Sequence, residues 1–307
     1  MRSAKPPAIL NPWVRRYLDH LGLERRYSPN TVAAAARDLA LIPSPQESAT
    51  AVVLKTLLAQ RHAEGLAPKT LARIASSWRG FFRYLVEQGA IQVNPAEALK
   101  TPKPKRSLPK ALGVDQAAGL LEGQVSEEFA MQQVQTLIRL LYATGLRISE
   151  ALALRVGASQ QAVNSTLDLT HRELRVVGKG SKTRVVPLIA PVCNDLMEHL
   201  KRRETHLQTI GVVNAEGFWL SARGKPLSAR QAQMDVARYA RLKGLSQHLH
   251  PHMLRHSFGS HVLQSTQNLR AVQELLGHAS LASTQVYTAL DFSHLAQVYD
   301  SAFPRAK

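Results

Sequence analysis

The sequence of 307 residues has one cysteine, no long apolar run and few acidic side chains. Because Cys193 stands alone, an intramolecular disulfide is excluded and a cysteine-based zinc site is not expected. No apolar stretch approaches the roughly 18–20 residues that a membrane span needs. The segment 1–7 lacks the apolar core of a signal peptide. We therefore expect a cytoplasmic protein with no membrane partner.

The shortage of acidic residues leaves a strongly basic chain. Lys and Arg number 39 against 22 Asp and Glu, which gives a formal net charge of +17. The excess is uneven, because residues 1–110 carry 18 basic and only 7 acidic side chains. A surface this positive favours polyanions such as nucleic acid. The 45% of hydrophobic residues is enough for a packed core and excludes wholesale disorder.

Apolar residues at helical spacing predict a mainly helical chain with two domains. Four helices are predicted in a first domain, residues 1–94, and should form a small bundle: 13–21, 31–41, 51–64 and 68–89. Prolines alternate with basic residues over 95–110, which predicts an extended basic linker.

Residues 111–307 form the second predicted domain, mainly α with one small β-hairpin. The hairpin covers Glu173 to Leu188, with its turn over 178–182. Helices are predicted between 112 and 142, from Ser149, and from about Val192 to the end of the chain. The polar stretch from Ser159 to Thr170 is expected to be an enlarged loop.

Four short segments hold polar residues that core packing does not need. They contain Arg147, Lys179 between two glycines, the pair His252 and Arg255, and His278 followed by Tyr287. Taken singly, each has an ordinary structural explanation, such as a surface arginine or a soluble hairpin tip.

Two other interpretations of these segments fail because a residue that each pattern requires is missing. The glycines around Lys179 lack the earlier glycine of a phosphate-binding loop. His252 and His256 have a zinc-ligand spacing, but Met253 stands where a zinc protease has glutamate. No metal site is expected.

Together, the polar residues match what phosphodiester cleavage without a metal requires. Arginine forks can hold the non-bridging oxygens of a phosphorus centre that gains negative charge. A tyrosine hydroxyl can be the nucleophile when a base or positive charge activates it. Lysine and histidine can supply the proton to the departing sugar oxygen.

In chain order, the motifs resemble the signature of the tyrosine recombinases, the phage integrase family, and most closely its Xer type. They are Thr-Gly-Leu-Arg-Ile-Ser-Glu at Arg147, Gly-Lys-Gly-Ser-Lys at Lys179, His-x-x-Arg-His-Ser-Phe at His252 and Arg255, Leu-Leu-Gly-His at His278 and Thr-Gln-Val-Tyr-Thr at Tyr287. The resemblance spans the whole chain. It implies a core-binding domain followed by a catalytic domain, which close around duplex DNA as a clamp.

The resemblance also implies a role for each motif residue. Tyr287 attacks phosphorus and forms a 3′-phosphotyrosyl link, while Arg147 and Arg255 hold the phosphate. Lys179 protonates the leaving oxygen. The two histidines complete the set, His252 in proton transfer with Tyr287 and His278 in a bond to a phosphate oxygen.

Cofactors and partners follow from the same resemblance. The broken bond is stored as a phosphotyrosine ester, so neither a nucleotide nor a metal cofactor is expected. Expected partners are a specific DNA site, a second Xer recombinase in a heterotetramer and a DNA translocase that activates it. Candidate phosphate contacts are Arg73, Arg79, Lys105 and Arg106. The segment from Asp291 to Tyr299 is expected to dock on a neighbouring protomer, or else on its own domain.

Alternatives within and outside the family remain open at this point. A phage or plasmid integrase, or a type IB topoisomerase-like enzyme that reseals the same strand, would use the same tyrosine chemistry. A DNA-binding regulator would require a missing catalytic residue, and none is missing. A metalloenzyme would be inhibited by a chelator. Two small departures from the family pattern, Gly259-Ser260 and Ala289, remove no catalytic group.

Overall fold

A computed structural model describes residues 11–102, 111–123, 126–156, 165–177 and 183–266. The chain divides into two compact units, Met1–Ser107 and Leu108–Lys307. Across the described ranges it is mainly helical, with one three-stranded sheet in the second unit. No helix in these ranges is both long enough and apolar enough to cross a bilayer.

The first unit contains the four predicted helices. They are α1 (Pro12–Asp19), α2 (Pro29–Leu39), α3 (Ala51–Ala63) and α4 (Pro68–Glu87). A π-helical turn, His20–Glu24, extends α1. At the start of α2 the Ser28 hydroxyl accepts a hydrogen bond from the Thr31 N–H at 3.2 Å, as its position before a proline predicts.

Helix α4 supplies the centre of the first core because its apolar residues recur at helical spacing. Trp78, Phe81, Phe82 and Leu85 are completely buried. Leu99, which follows the predicted domain end at residue 94, also lies in this core. Residues 103–110 of the predicted linker lie outside the described residues.

The second unit is built around one buried helix. Its helices are α5 (Val114–Leu121), α6 (Phe129–Thr144), α7 (Ile148–Leu152), α8 (Ala190–Thr209), α9 (Ala229–Leu242) and α10 (Pro251–Thr266). Helix α6 is buried from Gln133 to its last residue and packs against α8, α9 and α10.

The sheet consists of β1 (Thr166–Asp168), β2 (Glu173–Val177) and β3 (Thr183–Pro187), antiparallel in that order. Val177 pairs with Thr183, so the chain between them, 178–182, connects the two strands at the predicted turn. That segment itself lies outside the described residues. Strand β1 was not predicted and occupies part of the stretch expected to be a loop.

The prediction of helix from Val192 onward is wrong for residues 210–228. This stretch is irregular and contains two isolated bridges, Arg155 with Gly217 and Leu220 with Pro226. Gly211 and Gly224 have φ of +66° and +73°, in the left-handed region that ends a helix. Gly211 directly follows the C-cap of α8 and helps to end that helix, whereas Gly224 closes a turn with Ser221 inside the irregular stretch.

Helix α10 holds both polar backbone groups of Leu112. The Leu112 N–H donates to the Ser257 hydroxyl at 2.8 Å, and the Leu112 carbonyl accepts from Nε2 of His261 at 2.9 Å. Nδ1 of the same histidine lies 2.7 Å from the Tyr142 hydroxyl, which donates to it when the ring is neutral. Burial lowers the pKa of His261 and so favours this form.

We predict that Gly80→Ala destabilises the first unit, because an added Cβ would lie 2.5 Å from the hydroxyl oxygen of buried Tyr17. Overpacking of this kind costs about 1–3 kcal/mol in the free energy of unfolding. Urea denaturation would measure the loss. In a Tyr17→Phe background the clash disappears, because the next nearest ring atom is 3.7 Å away.

Gly22→Ala is the matched control, since nothing lies within 4 Å of its Cβ position. An equal loss for Gly80→Ala in the parent and in the Tyr17→Phe background would contradict the prediction.

Candidate active site

The turn between α6 and α7 places one predicted arginine and anchors another. Gly145 ends α6 with φ of +60°, a conformation that a side chain would strain. Its carbonyl accepts a hydrogen bond from Nη1 of Arg255 on α10 at 2.5 Å. Two residues further on, Arg147 is the N-cap of α7. The turn therefore brings Arg147 and Arg255 into one region of the second unit.

Glu150, in the first turn of α7, binds Arg147 twice. Its Oε2 accepts from the Arg147 backbone N–H at 2.8 Å, and its Oε1 accepts from Nη1 of the Arg147 side chain at 2.9 Å. An acidic side chain three residues after the N-cap commonly reaches back in this way. The carboxylate thus fixes both the start of α7 and the arginine that precedes it.

A third arginine reaches the same carboxylate from the sheet. Arg184 on β3 donates from Nη1 to Oε1 of Glu150 at 3.0 Å and from Nη2 to Oε2 at 2.8 Å. Only 4% of the Glu150 side chain is exposed, and 15% of the Arg184 side chain. Burial alone would raise the pKa of Glu150, but hydrogen bonds from Arg184 and Arg147 lower it to about 2. The carboxylate is therefore ionised at neutral pH.

The electrostatics of the cluster favour an anion. Burial, followed by the charge of Arg147, lowers the pKa of Arg255 to about 10, so the guanidinium stays charged near neutrality. The charge of Arg184 also lowers the pKa of Arg255, because like charges repel. Three guanidinium groups and one carboxylate in the same region leave a net positive charge that a phosphate can neutralise.

His252 lies on α10 three residues before Arg255, so both occupy one side of the helix. Its side chain is exposed. The His252 ring centroid is 6.5 Å from that of His250, whose pKa is lowered by burial and then by the charge of His252. Within the described ranges no three His, Cys, Asp or Glu side chains group together as metal ligands do.

The other predicted site residues divide into two sets. Lys179, His278 and Tyr287, and the candidate phosphate contacts Lys105 and Arg106, lie outside the described residues. Arg73 and Arg79 lie on α4. Arg73 forms an ion pair with buried Asp38, yet 48% of its side chain is exposed. Arg79 donates from Nη2 to the Leu99 carbonyl at 2.5 Å.

Sequence reasoning missed Glu150 and Arg184 as members of the site. Glu150 carried a signal, since it follows Arg147 at the spacing of a reciprocal helix cap. Arg184 carried none, because its partner is 34 residues away and the pair forms only when the sheet packs beside α7.

Comparisons with known proteins identify the family. The sequence profile described as phage integrase family matches residues 114–294, more than half of the chain. The chain belongs to this family. The profile described as the N-terminal SAM-like domain of phage integrases matches residues 14–89.

Curated relatives extend the likeness over nearly the full length. The tyrosine recombinase XerC of Ralstonia pickettii (strain 12J) is 41% identical, over 97% of this chain and 95% of its own length. The tyrosine recombinase XerC of Alcanivorax borkumensis is 43% identical, over 96% and 94%. The prediction of an Xer-type tyrosine recombinase is confirmed, and with it an enzyme that cuts and rejoins DNA through a tyrosine.

Solved structures show the same fold at lower identity. A XerH site-specific recombinase bound to palindromic difH substrate is 21% identical, with a TM-score of 0.62 over 93% of both chains. A lambda integrase dimer bound to a core site is 21% identical, with a TM-score of 0.61 over 91% of this chain and 99% of that one. These neighbours confirm the predicted fold class, mainly α with a small sheet.

We predict that Glu150 makes the stability of the second unit depend on acid pH. The pKa of Glu150 in the folded protein, about 2, lies below its ordinary value of 4.5. The stabilisation that ionised Glu150 gives the folded unit is therefore complete above pH 4.5 and is lost as the pH falls towards 2. The stability difference between the parent and Glu150→Gln should shrink by about 3 kcal/mol over this range.

Urea unfolding at a series of pH values measures this difference. Glu198→Gln is the control, because Glu198 belongs to an exposed ion pair with Arg202 and contributes less than about 1 kcal/mol. A parent-minus-variant difference for Glu150 that stays constant with pH would overturn the assignment.

Proposed function

We propose that this tyrosine recombinase resolves chromosome dimers at cell division by recombining a specific duplex DNA site together with a XerD-like partner. The observation that carries the proposal is the pair Arg147 and Arg255, which the turn at Gly145 brings into one region beside the Glu150–Arg184 ion pair, where they can receive one phosphate. The near full-length relatives named XerC support the cellular role. The neighbours that hold recombination-site DNA support duplex DNA as the substrate.

The proposed reaction exchanges one phosphoester for another. Arg147 and Arg255 hold the non-bridging oxygens of the scissile phosphate. The Tyr287 oxygen forms a bond to phosphorus as the bond from phosphorus to the 5′ oxygen breaks, and Lys179 gives that oxygen a proton. The products are a 3′-phosphotyrosyl link and a free 5′-hydroxyl. Attack by the 5′-hydroxyl of another strand reverses these steps and joins the exchanged strands.

Two histidines assist this exchange. His252 accepts the phenolic proton of Tyr287, and its exposed position one helical turn from Arg255 supports this role. His278 bonds a phosphate oxygen. Because each ester broken is replaced by another, no nucleotide hydrolysis supplies energy, and the proposed chemistry is metal-independent without a cofactor.

Domain roles and DNA contacts complete the proposal. Residues 1–94 bind DNA, residues 95–110 link the two domains, and residues 111–307 catalyse the reaction. The two domains form a clamp around the DNA. The candidate phosphate contacts remain Arg73, Arg79, Lys105 and Arg106. Of these, Arg73 has the better support among the described residues, because 48% of its side chain is exposed although it is paired with Asp38.

Assembly on two DNA sites requires further partners. A XerD-like recombinase supplies the other half of a heterotetramer, to which the segment from Asp291 to Tyr299 docks. A DNA translocase activates the complex. A chromosomal substrate makes the cytoplasm the place of action.

We predict that Tyr287→Phe keeps DNA binding but forms no covalent adduct, because the phenyl ring has no nucleophilic oxygen. A nicked suicide substrate that carries the candidate chromosomal site, with and without the second recombinase, traps the adduct for a denaturing gel. Tyr27→Phe, at an exposed tyrosine of the first unit, is the control and should form the adduct normally.

An adduct in Tyr287→Phe would show that the nucleophile is another residue. The same reactions with two DNA sites test the class of enzyme. Exchanged strands support a recombinase, whereas nicking and resealing of one strand alone would indicate a topoisomerase-like activity.

We predict that Lys179→Ala cleaves slowly and recovers on a substrate whose 5′ oxygen is replaced by sulfur. A thiolate leaves without protonation, so the general acid becomes dispensable. Single-turnover cleavage of the oxygen and sulfur substrates measures the recovery. If the sulfur substrate gives no recovery, Lys179 is not the proton donor.

A further inference from the structure

Arg184 and Arg147 share one buried carboxylate unequally. Arg184 binds Glu150 through two side-chain hydrogen bonds, one to each oxygen. Arg147 uses one side-chain nitrogen, Nη1, and its backbone N–H. The two-point pair, which is the stronger geometry for a guanidinium and a carboxylate, therefore belongs to Arg184.

The consequence for Arg147 is an accessible guanidinium. Its side chain is 34% exposed, against 15% for Arg184. Apart from Nη1, its side-chain donors have no hydrogen-bond partner among the described residues. One bond to Glu150 fixes the direction of the side chain, and the remaining donors stay available to an anion.

Arg184 itself is poorly placed to hold a phosphate. Both of its terminal nitrogens are engaged by Glu150, and its Nε is buried without an acceptor in the described part of the chain. Leaving a buried donor unpaired is unfavourable. The position of Arg184 is thus governed by its two bonds to Glu150, even at that expense.

Removing Arg184 would change the balance at Glu150. The carboxylate would keep its negative charge in a buried place, with Arg147 as its remaining charged hydrogen-bond partner among the described residues. A second donor of Arg147 would then be drawn towards the carboxylate, because a two-point pair is stronger than a single bond. The guanidinium would turn away from the place where a phosphate is held.

We propose that Arg184 is a positioning residue of the recombination reaction: by occupying the Glu150 carboxylate from β3, it keeps the Arg147 guanidinium available for the scissile phosphate. The inference rests on the function proposed above, in which Arg147 holds that phosphate. Arg184 acts through Glu150 and does not touch the DNA itself.

Single-turnover adduct formation on the nicked suicide substrate tests the inference with Arg184→Gln and Arg184→Lys. A misplacement of about 1 Å at a reacting group costs roughly 100-fold in rate. We therefore expect Arg184→Gln to cleave about 10- to 100-fold more slowly than the parent. Arg184→Lys keeps the charge but loses the two-point geometry, so its rate should lie between those of the parent and Arg184→Gln. DNA affinity should stay within about twofold, because many other phosphate contacts provide it.

Arg202→Gln is the matched control, since it removes an arginine from an exposed pair with Glu198 and should cleave at the parental rate. Thermal unfolding verifies that each variant is folded. If Arg184→Gln does not fold, the lysine variant provides the same comparison. A parent enzyme without adduct would refute the proposed function, whereas a parental rate in the Arg184 variants would refute only the role of Arg184.

Modified phosphates identify the group through which Arg184 acts. A methylphosphonate at the scissile position carries no negative charge and so depends less on the arginines. The rate ratio of parent to Arg184 variant should fall towards one on this substrate and stay unchanged on the 5′-sulfur substrate. A ratio that falls on the sulfur substrate, as expected for Lys179→Ala, would overturn the proposal. So would a ratio that the methylphosphonate leaves unchanged.

Discussion

A single buried carboxylate determines the geometry of the site. Glu150 is removed from water, and an unpaired charge there would be strongly unfavourable. It is stabilised by bonds from the Arg147 backbone, the Arg147 side chain and the two terminal nitrogens of Arg184. These bonds join the start of a helix to a strand of the sheet. The start of α7, where Arg147 lies, and strand β3, which carries Arg184, are thereby held in a fixed position relative to each other.

The second constraint is repulsion among like charges. Arg147, Arg184 and Arg255 lie close enough for their charges to lower the pKa of Arg255, and one carboxylate does not balance them. The fold maintains this arrangement with the left-handed turn at Gly145 and the Arg255 bond to its carbonyl. An anionic substrate relieves the repulsion, and groups already oriented before it arrives need no rearrangement when charge develops on phosphorus.

The sequence predicted local structure well and pairwise geometry poorly. Helix α2 could be read from Ser28 and Pro29, because cap and proline act within one turn. The motif at Arg147 was recognisable only by its resemblance to a known family, because taken alone it reads as an ordinary surface arginine. Strand β1 was missed, since three residues are too few to show alternation. The Arg184 bond to Glu150 spans 34 residues and depends on how the sheet packs, which no local pattern encodes.

The same contrast between local pattern and long-range contact applies to the candidate DNA contacts. Basic residues on the polar faces of the first bundle all look alike in sequence. In the structure Arg73 is tied to Asp38, 35 residues away, and Arg79 holds the Leu99 carbonyl. Each arginine therefore has an internal partner that charge counting alone does not reveal.

The two hydrogen bonds that hold Leu112 have a mechanical consequence. Ser257 and His261 grip this residue from the helix that also bears Arg255 and His252. Leu112, near the start of the second unit, is thus joined by its backbone to the helix that bears Arg255. A force that reaches Leu112 along the backbone is passed to that helix through these two hydrogen bonds. Their partners, Ser257 and His261, lie two and six residues after Arg255.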